Sequence, residues 1–243
     1  IDQAKAEYVH VAHLAKEPAM LTAIEKGLDV HAWTAHLISG VPLEIIAAEA
    51  KALGETTSAS EISECRRAAP WQGMPTALRL AAEQLSPDAS LRQFGKTRNH
   101  AWNYRESFMG YAYRTGTSIR EAKRLDAMQA RAFPKVVEWQ ERIKWEVQKE
   151  HCLVNCFGRV IPFIGPMDDK LWNSACSAKP QSGVADATLA AMRYIYAKMR
   201  GIVDVRNNVY DSLLLQLYML KSNSLEDEVV RLSNIICACM AAM

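Results

Sequence analysis

Apolar residues recur at helical spacing over most of the first 150 positions, and glycines punctuate them. EPAMLTAIEKG (17–27), DVHAWTAHLISG (29–40) and PLEIIAAEAKALG (42–54) each predict a short helix closed by Gly27, Gly40 or Gly54. Glycine suits such ends because it takes the left-handed conformation without penalty. ETTSASE (55–61) is a polar connector. Pro70, Gly73 and Pro75 forbid one long helix over 61–86 and leave that segment open. Asp88-Ala89-Ser90 offers caps for a helix through Tyr104. Thr117-Ser118 with Glu121 forms a capping box for a helix running to about Phe133. Pro134 opens the next helix, where Val136, Val137, Trp139 and Ile143 share helical spacing. Trp102, Trp139 and Trp145 read as core.

Beyond position 151 the period shortens. CLVNCFGRVIPFIG (152–165) alternates like two short strands around Phe157-Gly158. Residues 171–199 are helical apart from Pro180, and VRNNVYDSLLLQLYML (205–220) is strand-like. SLEDEVVRLSNIICACMAAM (224–243) predicts a helix capped by Ser224. Residues 1–14 read as a strand running into a helix, with the boundary open. Strands at both ends of a helical middle predict an α+β fold rather than regular βαβ alternation.

Composition adds little to this picture, and charge adds more. At 243 residues, 49% hydrophobic and 23% charged, the chain has material for a globular core in one large domain or two smaller ones. Net charge is only +2, but Arg92–Arg124 holds eight bases against Glu106 and Glu121. That local surplus of six suits phosphates, or else a solvated helix face. Six cysteines form no Cys-x-x-Cys pair. They read as reduced core thiols of a cytosol-like compartment, not as a zinc site or disulfide framework. No signal peptide or membrane-length apolar run is present in the sequence. Starting at Ile1-Asp2 and stopping at Met243 within a helical pattern, the chain is expected to be part of a longer protein.

Two stretches carry candidate chemistry. In NVYDSLLLQ (208–216) Asp211 stands among Val209, Leu213, Leu214 and Leu215. A carboxylate there marks either a hairpin tip or a metal ligand, and a metal requires a second carboxylate elsewhere. Arg92, Lys96, His100 and Tyr104 fall four apart, so they run along one helical stripe. Two cations, an imidazole and a phenol in a row suit a triphosphate at one end and a sugar and base at the other.

RQFGKTRNHAWNY (92–104) resembles the fingers helix of the A-family DNA polymerases, and its Asn-His and Asn-Tyr pairs resemble the bacteriophage-type branch. DQAKAEYVHVAHL (2–14) resembles the first catalytic segment of that family, with Asp2 and Glu7 at its acidic positions. DVHAWTAHLISG resembles the Asp-Ile-His-x-x-Thr-Ala segment and supplies His31. KPQSGVAD (179–186) resembles the helix segment facing template and primer and supplies Gln181. NVYDSLLLQ resembles the second catalytic segment, Val-His-Asp-Glu-Leu, and supplies Asp211. The five stretches keep family order over nearly the whole chain. Departures are Gln3, Ala4 and Lys5 for Tyr, Ser and Gln, Val9 for Arg, Arg105 for Gly, Tyr210 for His and Ser212 for Glu.

The resemblance implies a template-directed DNA polymerase acting by a two-metal mechanism, with an antiparallel palm sheet bearing a catalytic hairpin and a mainly helical fingers subdomain. It implies palm at 1–14 and 152–243 and fingers at 15–151. Asp2 and Asp211 would share two Mg²⁺ ions, whose preference is for hard oxygen ligands. His31, Arg92 and Lys96 would meet the triphosphate, His100 the sugar and base, and Tyr104 the templating base. Glu7 would crowd a ribose 2′-hydroxyl, while Gln181 and Tyr210 would contact DNA. Implied partners are primer-template DNA and deoxynucleoside triphosphates, with accessory replication proteins as further candidates and no membrane. The expected compartment is the cytoplasm, that of a host if the source is viral. Without a thumb the chain alone is expected to polymerise weakly or not at all. The competing expectations are an inactive nucleic-acid-binding relic of this fold and a structural helical domain.

Overall fold

The computed structural model of the protein describes residues 5–54, 58–68, 70–218, 230 and 234. Asp2, Cys237, Cys239 and all of the expected helix after Ser224 except positions 230 and 234, both helical, lie outside the described residues. The chain contains α1 (Ala6–Ala15), α2 (Pro18–Glu25), α3 (Val30–Ser39), α4 (Leu43–Leu53), α5 (Ala59–Cys65), a 3-10 turn (Trp71–Gly73) and α6 (Thr76–Leu85). Then follow α7 (Leu91–Asn103), α8 (Phe108–Thr115), α9 (Ile119–Ala132), α10 (Pro134–Glu150), β1 (Cys152–Val154) and β2 (Val160–Pro162). α11 (Asp169–Lys198), β3 (Val203–Val209) and β4 (Ser212–Leu217) complete the described elements. Helices with antiparallel strands make the fold α+β, as the patterning predicts. It divides into two units.

The helical unit takes in Val11–His151 and Phe163–Ser177. Its helices begin where short polar side chains answer open backbone N–H groups. Asp29 Oδ1 accepts from His31 N and Ala32 N at 3.0 and 2.9 Å, and Ser90 and Ser118 each accept from the N–H three residues on at 3.2 Å. Gly40 closes α3 at φ 74°, in the left-handed region. Within 61–86, Pro70 and Pro75 stand just before the 3-10 turn and α6, so they start elements rather than only breaking them. α5 begins at Ala59, inside the stretch 55–61 expected to be a connector, and α8, eight residues between Ser107 and Gly116, is a further helix that patterning leaves unassigned.

The core gathers Ala35, Ile38, Ile46, Trp71, Leu91, Phe94, Tyr111 and Leu125. At its centre α7 lies on α3 with almost no space between backbones. A Cβ on Gly95 would stand 2.1 Å from the His31 carbonyl oxygen. Asn99, buried, bolts the same contact: it accepts from Thr34 Oγ1 at 2.9 Å and donates to Val30 O at 3.3 Å. On helix propensity alone Gly95→Ala would stabilise by about 1 kcal/mol. The carbonyl cannot rotate away, so the contact reverses the sign, and a loss of about 1–3 kcal/mol is expected. In a thermal melt that is a drop of about 5 °C. A variant melting at or above the wild-type temperature would mean the two helices separate cheaply.

Trp145 corrects an expectation. It is 59% exposed, while Trp102 and Trp139 are buried. On α10 the buried stripe is Val136, Trp139, Ile143 and Val147. At 100° per residue Trp145 falls about 120° from Trp139, outside that stripe. The cysteines also depart from a uniform core assignment: Cys156 is exposed and Cys65 and Cys152 are partly so, all free. Cys176 is buried, and burial pushes its thiol up to about 12. Among the described residues no helix is long and apolar enough to cross a membrane.

The second unit takes in the chain up to His10, Cys152–Pro162 and the chain from Ala178. Residues 6–10 are helical, while positions 1–4, where the strand is expected, lie outside the described residues. β1 and β2 pair antiparallel, joined through the Phe157-Gly158 turn. Asn155 fixes that turn by accepting from Phe157 N and Arg159 N, and it donates to Asp186 Oδ2 on α11 at 2.7 Å. Arg159 and Asp186 pair beside it, which holds the Asp186 carboxyl below its usual range. α11 runs straight through Pro180. β3 and β4 form a second antiparallel pair, with a register shift between Val205 and Asn207. Ala191 and Ile195 of α11, with Met199 just past its end, pack under Val203 and Leu213 of that hairpin. Among the described residues the two hairpins are separate sheets.

Candidate functional site

In the second unit, Tyr210 and Asp211 form the two-residue turn between β3 and β4, where Val209 pairs with Ser212. Tyr210 has φ 54°, a left-handed conformation that side chains with a Cβ adopt at a cost. Its hydroxyl donates to Glu7 Oε1 at 2.9 Å, and Gln181 Nε2 donates to the same oxygen at 3.3 Å. Three expected site residues from three distant segments therefore converge on one carboxylate. Close packing explains how. Gly183 of α11 approaches His10 so nearly that a Cβ would stand 2.9 Å from Nδ1. That approach sets Gln181 beside Glu7, one helical turn before His10. Burial, then the hydrogen bond to Glu7, push the Tyr210 hydroxyl far above its usual range. It therefore stays protonated and remains a donor.

Asp211 is half-buried at this turn. It is the one member of the expected Asp2–Asp211 pair among the described residues, and it offers the hard oxygen that Mg²⁺ takes. Among the described residues no group of three or more His, Cys, Asp or Glu side chains could hold a metal ion.

The helical unit holds the stripe on α7. Lys96, His100 and Tyr104 line one open cleft of about 460 Å³, together with Gln93, Thr97, Glu106 and Arg114. His31 lies behind it, buried, with Nδ1 3.1 Å from Asn99 Nδ2 and its ring centroid 6.1 Å from that of His100. Arg92 is not among the lining residues. Its Nε donates to Asp29 Oδ2 at 2.9 Å, so it braces the carboxylate that caps α3. Arg105, where the family pattern has Gly, has φ 63°. A glycine would take that conformation without penalty.

Part of the basic tract is answered by acids that the local count cannot see. Arg92 meets Asp29 and Arg105 meets Glu141 and Asp169, all outside the window, while Arg124 meets Glu121, which the count includes. Arg98 is 2% exposed, donating from Nε to Gln129 Oε1 at 2.9 Å, with Tyr111 4.5 Å from its guanidinium carbon. Burial lowers the Arg98 pKa and raises that of its partner Asp126. Arg98 is a core residue. Glu106 and Arg114 are the lining residues that sequence reasoning passed over; finding them needed α8, which sets Arg114 back over the end of α7.

The chain matches no protein-family model and no curated protein sequence. It does share its fold with the POL domain of Pol1 from M. smegmatis, solved in complex with a DNA primer-template and dNTP. The two superpose with a TM-score of 0.70 at 19% sequence identity, covering 98% of this chain and 35% of that one. The chain thus spans about a third of the length of that structure.

Proposed function

We propose that this chain is the palm-and-fingers portion of a template-directed DNA polymerase of the A family, bacteriophage-type branch, adding deoxynucleotides to a primer 3′-hydroxyl. The helical unit serves as fingers and the unit bearing the hairpins as palm. The observation that carries this is the α7 cleft, where Lys96, His100 and Tyr104 stand in series on one face. Supporting it are the shared fold and the meeting of Glu7, Gln181 and Tyr210.

The division of labour follows from the side chains. Lys96 supplies a point charge for the triphosphate, where charge neutralisation matters more than covalent help. His100 and Tyr104 flank the sugar and base, with His31 behind His100 holding its ring in place. Arg92 reaches phosphate only by leaving Asp29, so its share of the grip is smaller than that of Lys96. Glu7, fixed by the Tyr210 phenol and the Gln181 amide, crowds the 2′ position of an incoming ribose. Asp2 and Asp211 would hold Mg²⁺, which when bound would supply Lewis-acid activation of the primer hydroxyl and charge neutralisation for the leaving pyrophosphate.

The test is Lys96→Ala in the full-length protein. Nucleotide use in primer extension should fall by about 10²-fold in kcat/KM, as loss of one charge-stabilising donor does, with primer-template affinity changed little. Equal loss of both would make α7 a DNA-backbone patch, the behaviour of the inactive relic.

A further inference from the structure

We propose that Arg114 is a phosphate-binding residue of the α7 cleft and that Glu106 holds it in reserve, its carboxylate standing where a phosphate of the ligand will stand. This rests on the cleft being the anion site assigned above. Both side chains line that cleft with Lys96. Arg114 donates from Nε to Glu106 Oε1 at 2.9 Å and from Nη2 to Oε2 at 2.8 Å. Two parallel bonds from a planar fork are the geometry that a phosphate satisfies as well as a carboxylate. The fork is also held in place from behind. Its carbon stands 5.6 Å from the ring of Tyr111, a buried side chain whose ring lies 4.5 Å from the buried Arg98 guanidinium.

Magnitudes favour exchange. The Arg114 side chain is 47% exposed, and ion pairs so open to water contribute little to stability. A phosphate brings more charge than the carboxylate and gains Lys96 in addition, so it displaces Glu106 without any covalent step. A singly charged anion has no such advantage over a carboxylate already in place. The device therefore selects polyphosphates: a nucleoside triphosphate or the backbone of a nucleic acid strand.

Titration of the 243-residue chain with inorganic tripolyphosphate reads the exchange directly. Glu106→Gln frees the fork and should tighten binding about fivefold, while Arg114→Gln should weaken it by a similar factor. In the double variant the gain from Glu106→Gln should vanish, because nothing remains to be released. If Glu106→Gln tightens binding equally without Arg114, the carboxylate only repels anions and the exchange is wrong. If neither single variant moves the affinity, Arg114 is no phosphate ligand. A parallel titration with a single-stranded oligonucleotide separates the sources: the same cycle appearing only there makes the phosphates those of a strand. Lys96→Ala is the independent control. Unchanged tripolyphosphate affinity in that variant overturns the cleft as anion site, whatever the Glu106–Arg114 cycle shows.

Discussion

Glu49→Ala should lower the stability of the helical unit by about 3–5 kcal/mol, the cost of leaving a buried charge without its partner. Glu49 is 1% exposed and Arg66 4%. Glu49 Oε1 accepts from Arg66 Nε at 2.8 Å, and Oε2 accepts from Leu91 N, the first residue of α7, at 2.7 Å. Arg66 reaches on to Ser86 O and Ala89 O, in the segment that leads into that helix. Removing the carboxylate therefore strands a buried guanidinium and opens the N-terminus of the helix that carries Lys96. For a chain of this size the melting temperature should fall by about 10 °C. Glu49→Leu combined with Arg66→Met should recover only part of that loss, since it removes the stranded charge but leaves Leu91 N and Ser86 O without these partners. A Glu49→Ala melt within a degree or two of wild type would show that water reaches Arg66 and that the pair is not a clamp.

That pair also marks the border of what the sequence made legible. Capping positions announce themselves locally: Asp29, Ser90 and Ser118 cap where a short polar side chain precedes a helical period. The two hairpins were readable too, because Gly158 and the Tyr210-Asp211 pair interrupt apolar alternation. Partners from far along the chain were not. Asp29 takes up Arg92 across 63 positions, and Asp169 meets Arg105 across 64. A charge tally over one window cannot register such acids, so the tract looked more basic than the folded surface is. α8 escaped because its two turns carry Gly110 in their interior, which weakens a helical reading, and with it went Glu106 and Arg114 as neighbours. The resemblance singles out Glu7, Gln181 and Tyr210 one by one, but their meeting on one carboxylate is visible only in the fold.

Asp211 is the residue on which the proposed chemistry turns. It sits at the tip of β3–β4, and the hairpin is secured by Leu213 and Val203 in the core below. Asp211→Ala should therefore leave the fold intact, since this half-buried turn position lies outside that core. Asp211→Glu should fail almost as completely as Ala, because Mg²⁺ tolerates little displacement of its oxygen ligands. Primer-template affinity should change less than twofold in both, since phosphate contacts carry it and Asp211 offers none. The decisive measurement is single-turnover primer extension in Mg²⁺ by the full-length protein, wild type beside Asp211→Ala, with a DNA-binding titration of each. The prediction is template-directed extension by wild type and a loss of about 10³-fold or more in the variant at unchanged DNA affinity. Extension by Asp211→Ala at the wild-type rate would contradict it, reducing the aspartate to a turn residue.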